Sequence, residues 1–229
     1  MFMKPWHRPP HTAGTQRGAS LIIVMLILIV VSILGVGGAQ IALMAERGAR
    51  NDRDMQVAWQ AAEAALVDAE LDLTSAAPNA SSPARGALFG MTRVGTPARN
   101  VQADKVDVNN FVADCGSASA VGTGGLSTFG LCSLPVTGKP AWLTVNFETT
   151  GSGAQTVPFG QFTGRSFASG STGAQPARAP RYIIEAIRDE GASSRDKASS
   201  DIKYVYRVTA MGFGPRDDIQ AVMQMIYRN

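Results

Sequence analysis

Residues 19–45 read ASLIIVMLILIVVSILGVGGAQIALMA, carry no charged side chain, and hold an unbroken run of Leu, Ile, Val and Met from Leu21 to Val31. A helix of this length and composition crosses the roughly 30 Å of hydrocarbon in a bilayer. It divides the chain into a short N-terminal side and a long C-terminal side. On the short side Lys4, Arg8 and Arg17 stand without any acid, whereas Glu46, Arg47, Arg50, Asp52, Arg53 and Asp54 form a mixed set after the apolar run. The positive-inside rule then puts residues 1–18 in the cytoplasm and the bulk of the chain in the periplasm or outside the cell.

The 229 residues are 45% hydrophobic, enough for one sizeable core, but the apolar run inflates that figure and belongs to no soluble core. One globular domain with an anchor is the expectation. The net charge of +3 owes much to the basic N-terminal segment. The remainder is near neutral and implies no nucleic-acid partner.

Helical patterning continues past the span. Met55, Trp59, Ala62, Leu66, Ala69 and Leu73 are spaced alternately by four and three, which makes one face of a helix. Run together from Ala19 to Leu73, span and stripe form a rod of roughly 80 Å. Gly35, Gly37 and Gly38 weaken it by about 1 kcal/mol each relative to Ala, which predicts a bend or a melted turn, and Pro78 ends it. A second reading takes Val36-Gly37-Gly38-Ala39 as the cleavage site of an ordinary secretory signal. The helical pattern beyond Ala39 counts against that. The run Ala58 to Ala65 permits close approach of another element, or simply favours helix, and the sequence does not separate the two.

Past Pro78 the composition shifts to Gly, Ser, Ala and Thr. Segments 76–99 and 151–180 are poor in large apolar residues and read as long loops or linkers, while Val101 to Val112 and Ala141 to Phe147 are assigned short strands, with Trp142 in the core. The last third is clearer. Tyr182 to Ile187, Ile202 to Ala210 and Ile219 to Tyr227 are β-rich and separated by turn-forming segments. Ile202, Tyr204, Tyr206, Val208 and Ala210 alternate with Lys203, Arg207 and Thr209, which gives one face to a core and one to water. Laid against the helix, such a meander buries the Met55, Trp59, Leu66 stripe. The fold expected is α+β, a long N-terminal helix whose first half spans the membrane, packed on a C-terminal antiparallel sheet.

Cys115 and Cys132 lie beyond the span in a Gly/Ser-rich stretch and are read as a disulfide formed in an oxidising compartment, a closure worth about 3 kcal/mol in the chain-entropy model. Free thiols in a reducing cytosol are the alternative. Zinc has no histidine to bind on that side, since His7 and His11 both precede the span. The lack of exported histidine also removes a histidine base, and no G-x-S-x-G or H-E-x-x-H is present. Gly122 to Gly125 lacks the Lys-Ser/Thr of a phosphate loop and reads as a flexible turn. Asp104, Asp107, Asn109 and Asn110 offer oxygen ligands but match no EF-hand spacing, so no metal and no cofactor is assigned.

A basic leader ending Gln16-Arg17-Gly18, followed directly by Ala19-Ser20 and the apolar helix, resembles the signal of type IV prepilins. Gln60-Ala61-Ala62-Glu63-Ala64-Ala65-Leu66, Leu34-Gly35, Pro180-Arg181-Tyr182-Ile183-Ile184-Glu185, Tyr206-Arg207-Val208-Thr209-Ala210-Met211-Gly212 and Gln224-Met225-Ile226-Tyr227 are similar to segments of the PilX family of minor pilins. The resemblance covers roughly residues 16–75 and 180–229. It implies cleavage by prepilin peptidase between Gly18 and Ala19, N-methylation of Ala19, and subunit packing through the helix, with Glu63 set to meet a neighbour's base or simply solvated. Most pilins carry Glu at the fifth mature position, where Ile23 stands here. That carboxylate neutralises a neighbour's terminal amine in the apolar filament core, and its absence points to a place at the tip, with no subunit ahead.

The resulting organisation is a cytoplasmic leader (1–18), a transmembrane half-helix (19–45), a periplasmic half-helix (46–75), a loop-rich region with the disulfide (76–180) and antiparallel strands (181–229). The function expected is a minor pilin, not an enzyme, that helps initiate type IV pili. Its implied partners are prepilin peptidase, other minor pilins, the major pilin, a tip adhesin and the inner membrane, and its final place is the pilus at the cell surface. A minor pseudopilin of type II secretion, and a single-pass protein with a periplasmic binding or adhesive domain, are the alternatives.

Overall fold

The computed structural model describes residues 19–74, 85–89, 91–93, 96–97, 106, 108–135, 137–170, 174–189 and 203–228. Its first element is the α-helix α1 (Ala19–Thr74). The chain divides into two compact units, residues 1–50 and 51–229.

Within the first unit, helix 19–50 is the one helix among the described residues apolar and long enough to cross a membrane, and none of that apolar window is buried inside the chain. Leu21 to Val31 are all exposed, as a lipid-facing surface requires. Helix is unbroken through Gly35, Gly37 and Gly38, so the melted turn expected there is absent. No other group lies within 4 Å of where their Cβ atoms would be, so nothing competes with the helical hydrogen bonds. α1 closes at Thr74, whose hydroxyl donates back to the Glu70 carbonyl at 2.8 Å. Pro78 lies outside the described residues.

The second unit is a helix-on-sheet domain. Strands β1 (Met91–Arg93) and β2 (Thr96–Pro97) make a small hairpin. The main sheet has five strands: β3 (Leu131–Ser133), β4 (Val157–Pro158), β5 (Arg181–Arg188), β6 (Tyr204–Phe213) and β7 (Gln220–Arg228). The last three form the expected antiparallel meander, with Ile184 opposite Val208 and Val208 opposite Met225. β3 joins β5 in parallel, Leu131 against Ile184, and β4 pairs antiparallel with the start of β5, Val157 against Tyr182. The sheet is therefore mixed, and its first strand carries Cys132, one end of the disulfide.

The core lies between the helix and the first sheet face. Ala65, Leu66, Ala69 and Leu73 meet Tyr182, Ile184, Tyr206, Val208 and Ala210, with Leu88, Phe89, Phe111, Phe129, Phe162 and Val157 closing the ends. The ring of Phe89 stands edge-on to Tyr206 at 5.4 Å.

Several expectations are corrected here. Ala141–Leu143 is a 3-10 turn, not a strand, and Val108–Asn110 is another, while 101–105 and 107 lie outside the described residues. Pro140 precedes the first of these turns and fixes its entry. Segments 76–99 and 151–180 are not plain linkers where described. Gly86–Phe89 is a 3-10 turn whose Leu88 and Phe89 are buried, and Ala154, Val157 and Phe162 are core residues. Over β5 and β6 the second sheet face is largely closed to water: Thr209 is 0% exposed, and Cys115, Cys132, Ala141, Phe147 and Ile183 pack there with Trp142, Val145 and Met211 alongside, while Val222 and Ile226 of β7 stay exposed.

Candidate assembly surface and its buried anchors

Which side of the helix the sheet covers decides which side is left for partners. The expected stripe is buried only in part: Ala62, Leu66, Ala69 and Leu73 lie in the core, whereas Met55 is 38% and Trp59 51% exposed. The buried set is Ala58, Ala61, Ala62, Ala65, Leu66, Asp68, Ala69, Asp72 and Leu73. At 3.6 residues per turn its centre is turned about 60° from the face that hydrophobicity alone selects.

Close approach explains the turn. Gly212 of β6 lies so near the helix that a Cβ there would stand 2.1 Å from the Ala58 carbonyl oxygen and 2.3 Å from the Ala62 nitrogen. Only small residues on both elements permit this, and a face led by Met55 and Trp59 would hold the sheet away. The alanine run thus serves packing as well as helix propensity.

Two acids on that face tie loops to the helix. The Asp72 carboxylate is buried and accepts from Arg85 Nε (2.9 Å to Oδ1, 3.0 Å to Oδ2), from Arg85 Nη2 (2.6 Å to Oδ2) and from the Tyr182 hydroxyl (2.9 Å). Arg85 is 0% exposed, and its Nη1 donates to the Phe129 carbonyl at 2.5 Å. Its guanidinium carbon lies 3.6 Å from the Phe162 ring centroid, a cation–π contact in a desolvated site. Burial, helped by the neighbouring Asp72 charge, pushes the Tyr182 hydroxyl well above its ordinary range, so it remains a donor. One turn earlier, Asp68 accepts from the Gly160 N–H at 2.7 Å and from the Thr163 hydroxyl, with Arg165 Nη1 at 3.7 Å. Desolvation raises its carboxyl above 3.8 against those bonds.

The second sheet face has its own anchor. Buried Glu185 accepts from Arg207 Nε (2.8 Å) and Nη2 (3.1 Å) and from the Ala141 N–H (3.2 Å), which docks the 3-10 turn on β5. Arg181 Nε donates to Thr156 Oγ1 at 2.7 Å, tying β5 to the segment entering β4. Cys115 and Cys132 are joined as a disulfide within this layer. The Gly122–Gly125 turn lies inside its loop, with Gly124 and Gly125 at φ of 72° and 74°.

These polar groups are held by one another, an arrangement that fixes loops against the helix and the sheet. Among the described residues no group of three or more His, Cys, Asp or Glu is placed to hold a metal. Asp104 and Asp107 lie outside the described residues; Asn110 is buried and Asn109 exposed.

Of the residues singled out from the sequence, Gly18 lies outside the described residues and Ala19 opens α1. Ile23 is exposed in the apolar helix, Glu63 is exposed on the helix of the second unit, and the structure brings neither to another site residue. Trp142 half-packs in the second layer, its Nε1 buried without a hydrogen-bond partner among the described residues. Asp68, Asp72, Arg85 and Glu185 were not foreseen. The two aspartates sit four apart on the face of Ala65 and Ala69, a placement a helical wheel displays, whereas nothing local marks Arg85 as their partner.

The outward surface of the helix in the second unit is left with Met55, Trp59, Glu63, Val67 and Glu70. Two family models match the chain: the C-terminal part of type IV pilus assembly protein PilX over residues 108–229, and the PilX N-terminal region over residues 17–67. No curated protein and no solved structure matches.

Proposed function

The chain belongs to the PilX family of type IV pilus assembly proteins, and from that membership we propose that it is a minor pilin acting at the filament tip to initiate assembly. Prepilin peptidase cuts between Gly18 and Ala19, and Ala19 becomes the methylated N-terminus. Residues 1–18 are the cytoplasmic leader, 19–45 hold the subunit in the inner membrane, and 46–75 carry the helix into the periplasm. There the helix meets other minor pilins and the major pilin, and the loop-rich region 76–180 with the strands 181–229 is displayed at the tip, next to an adhesin.

The observation that carries the tip placement is Ile23, exposed in a helix without a single charge from Ala19 to Ala45. It offers no carboxylate to a neighbour's terminal amine, and an unpaired amine buried in the filament core is costly. A first subunit has no such neighbour ahead of it. Exposed Trp59 and Glu63 supply an aromatic and an acid for lateral packing.

The test is the N-terminal sequence and intact mass of the protein from membranes of cells with and without prepilin peptidase, beside a clean deletion strain. A methylated Ala19 terminus that depends on the peptidase, with loss or reduction of surface pili on deletion, is expected. Normal piliation with a defect in enzyme export would move the protein to a type II secretion pseudopilin. An uncleaved chain would make it a stand-alone membrane-anchored domain.

A further inference from the structure

β7 is the outer strand of the main sheet, and among the described residues no strand pairs with its free side. It runs for nine residues, and its pairing to β6 keeps one register from Val205–Arg228 to Phe213–Gln220 with no bulge. Its sequence QAVMQMIYR has no Pro, no Lys and no acid, and its one charge, Arg228, is at the end. A long, straight, nearly uncharged edge is a template for another strand, because half of its N–H and C=O groups point outward without partners.

Beside that edge the second sheet face is exposed and the helix-side face is only partly covered. On the second sheet face, Val222 is 48% and Ile226 59% exposed, since the layer of Ala141, Phe147 and Cys132 covers Ile183 and leaves β7 bare. On the helix side, Met223, Met225 and Tyr227 are only partly buried against the core.

The order of residues identifies an occupant. Placed antiparallel to itself and centred on Gln224, β7 sets Val222 opposite Ile226, Met223 opposite Met225, Ala221 opposite Tyr227, Gln220 opposite Arg228 and Gln224 opposite Gln224. Apolar side chains meet apolar ones on both faces, the two Arg228 groups are at opposite ends, and all nine residues pair. Shifting the register by one would put each apolar residue on the wrong face, and shifting it by two shortens the ladder. We propose that β7 is a self-complementary docking edge at which a second copy of this chain adds its own β7 antiparallel, joining the two sheets into one. This pairing is independent of leader cleavage and of a place at the tip.

The test uses the full-length chain in detergent micelles, whose two native cysteines are already committed to one disulfide. Single variants Gln224→Cys, Val222→Cys and Ile226→Cys are treated with a short bifunctional thiol reagent, with Val121→Cys, 70% exposed in the disulfide loop, as the collision control. Directly opposite Cβ atoms in an antiparallel pair are about 5 Å apart, within its reach. Gln224→Cys should give covalent dimer in at least about tenfold excess over Val121→Cys, because pairing raises the local thiol concentration far above that of free collision. A mixture of Val222→Cys and Ile226→Cys chains should give the mixed dimer well above either chain alone. Equal yields at Gln224→Cys and Val121→Cys, or no dimer at any position in chains that keep the wild-type thermal unfolding, would overturn the proposal; the second outcome would leave the edge to a strand of another protein.

Discussion

Replacing Asp72 by Ala should destabilise the helix-on-sheet unit more than any other single change on the helix. The variant deletes the acceptor for Arg85 Nε, Arg85 Nη2 and the Tyr182 hydroxyl, and leaves a fully buried guanidinium with the Phe129 carbonyl and the Phe162 ring. Breaking a buried ion pair from one side costs about 3–5 kcal/mol, because the remaining charge is neither hydrated nor paired. In a unit spanning residues 51–229, where each kcal/mol moves the midpoint by about 2–4 °C, this is a fall of roughly 6–20 °C. Thermal unfolding of the full chain in detergent, followed by tryptophan fluorescence, reads it directly. Arg85→Met should fall by a comparable amount, and the double variant Asp72→Leu with Arg85→Met should be more stable than either single one, since apolar replacement of both partners removes the uncompensated charge. A midpoint for Asp72→Ala within 2 °C of wild type, or a double variant that loses the sum of the two, would refute the keystone role of this pair.

Other outcomes follow from the same packing. Gly212→Ala puts a methyl group into the backbone of Ala58 and Ala62, so the helix must lift from β6 at a cost of about 1–3 kcal/mol or more, measured as a loss of urea midpoint. Reducing the disulfide, or Cys115→Ser with Cys132→Ser, should cost about 3 kcal/mol for a loop of 17 residues and loosen the layer over Ile183. Trp142→Phe should change stability by less than about 1 kcal/mol, because the deleted N–H is a buried donor with no acceptor among the described residues. For Asp68, whose folded carboxyl lies above its ordinary 3.8, the folded state holds the proton more tightly than the unfolded one, so its contribution is full below 3.8 and is lost as pH rises through the raised value. Wild type should therefore gain stability relative to Asp68→Asn on acidification from pH 7 towards 4, and a gain in the other direction would reverse the assignment.

Much of the architecture was legible because it rests on local pattern. The uncharged run from Ala19 to Ala45, the alternation in Tyr204 to Ala210 and the paired cysteines each carry their meaning within a short window. The three C-terminal strands lie within a few residues of where that alternation puts them. Weak windows misled. Ala141 to Phe147 has strand-like residues, yet the Pro140 entry and the Glu185 carboxylate waiting for the Ala141 N–H make it a turn. β3 reads as nothing in particular, because three residues hold too little periodicity to declare a strand.

From the sequence alone come the apolar helix with its basic N-terminal flank, the α+β class, the C-terminal meander and the kinship of its signature segments, all of which depend on residues close together in the chain. Tertiary structure decided which way the helix faces. Hydrophobicity favours Met55 and Trp59, but the demand for backbone contact at Gly212, and for bonds from Asp68 and Asp72 to loops and to Tyr182 of β5, 110 residues from Asp72, turns the alanine face inward and leaves the tryptophan outside. Such contacts join distant residues, and their energy depends on distances of a few ångströms that no local pattern of side chains records.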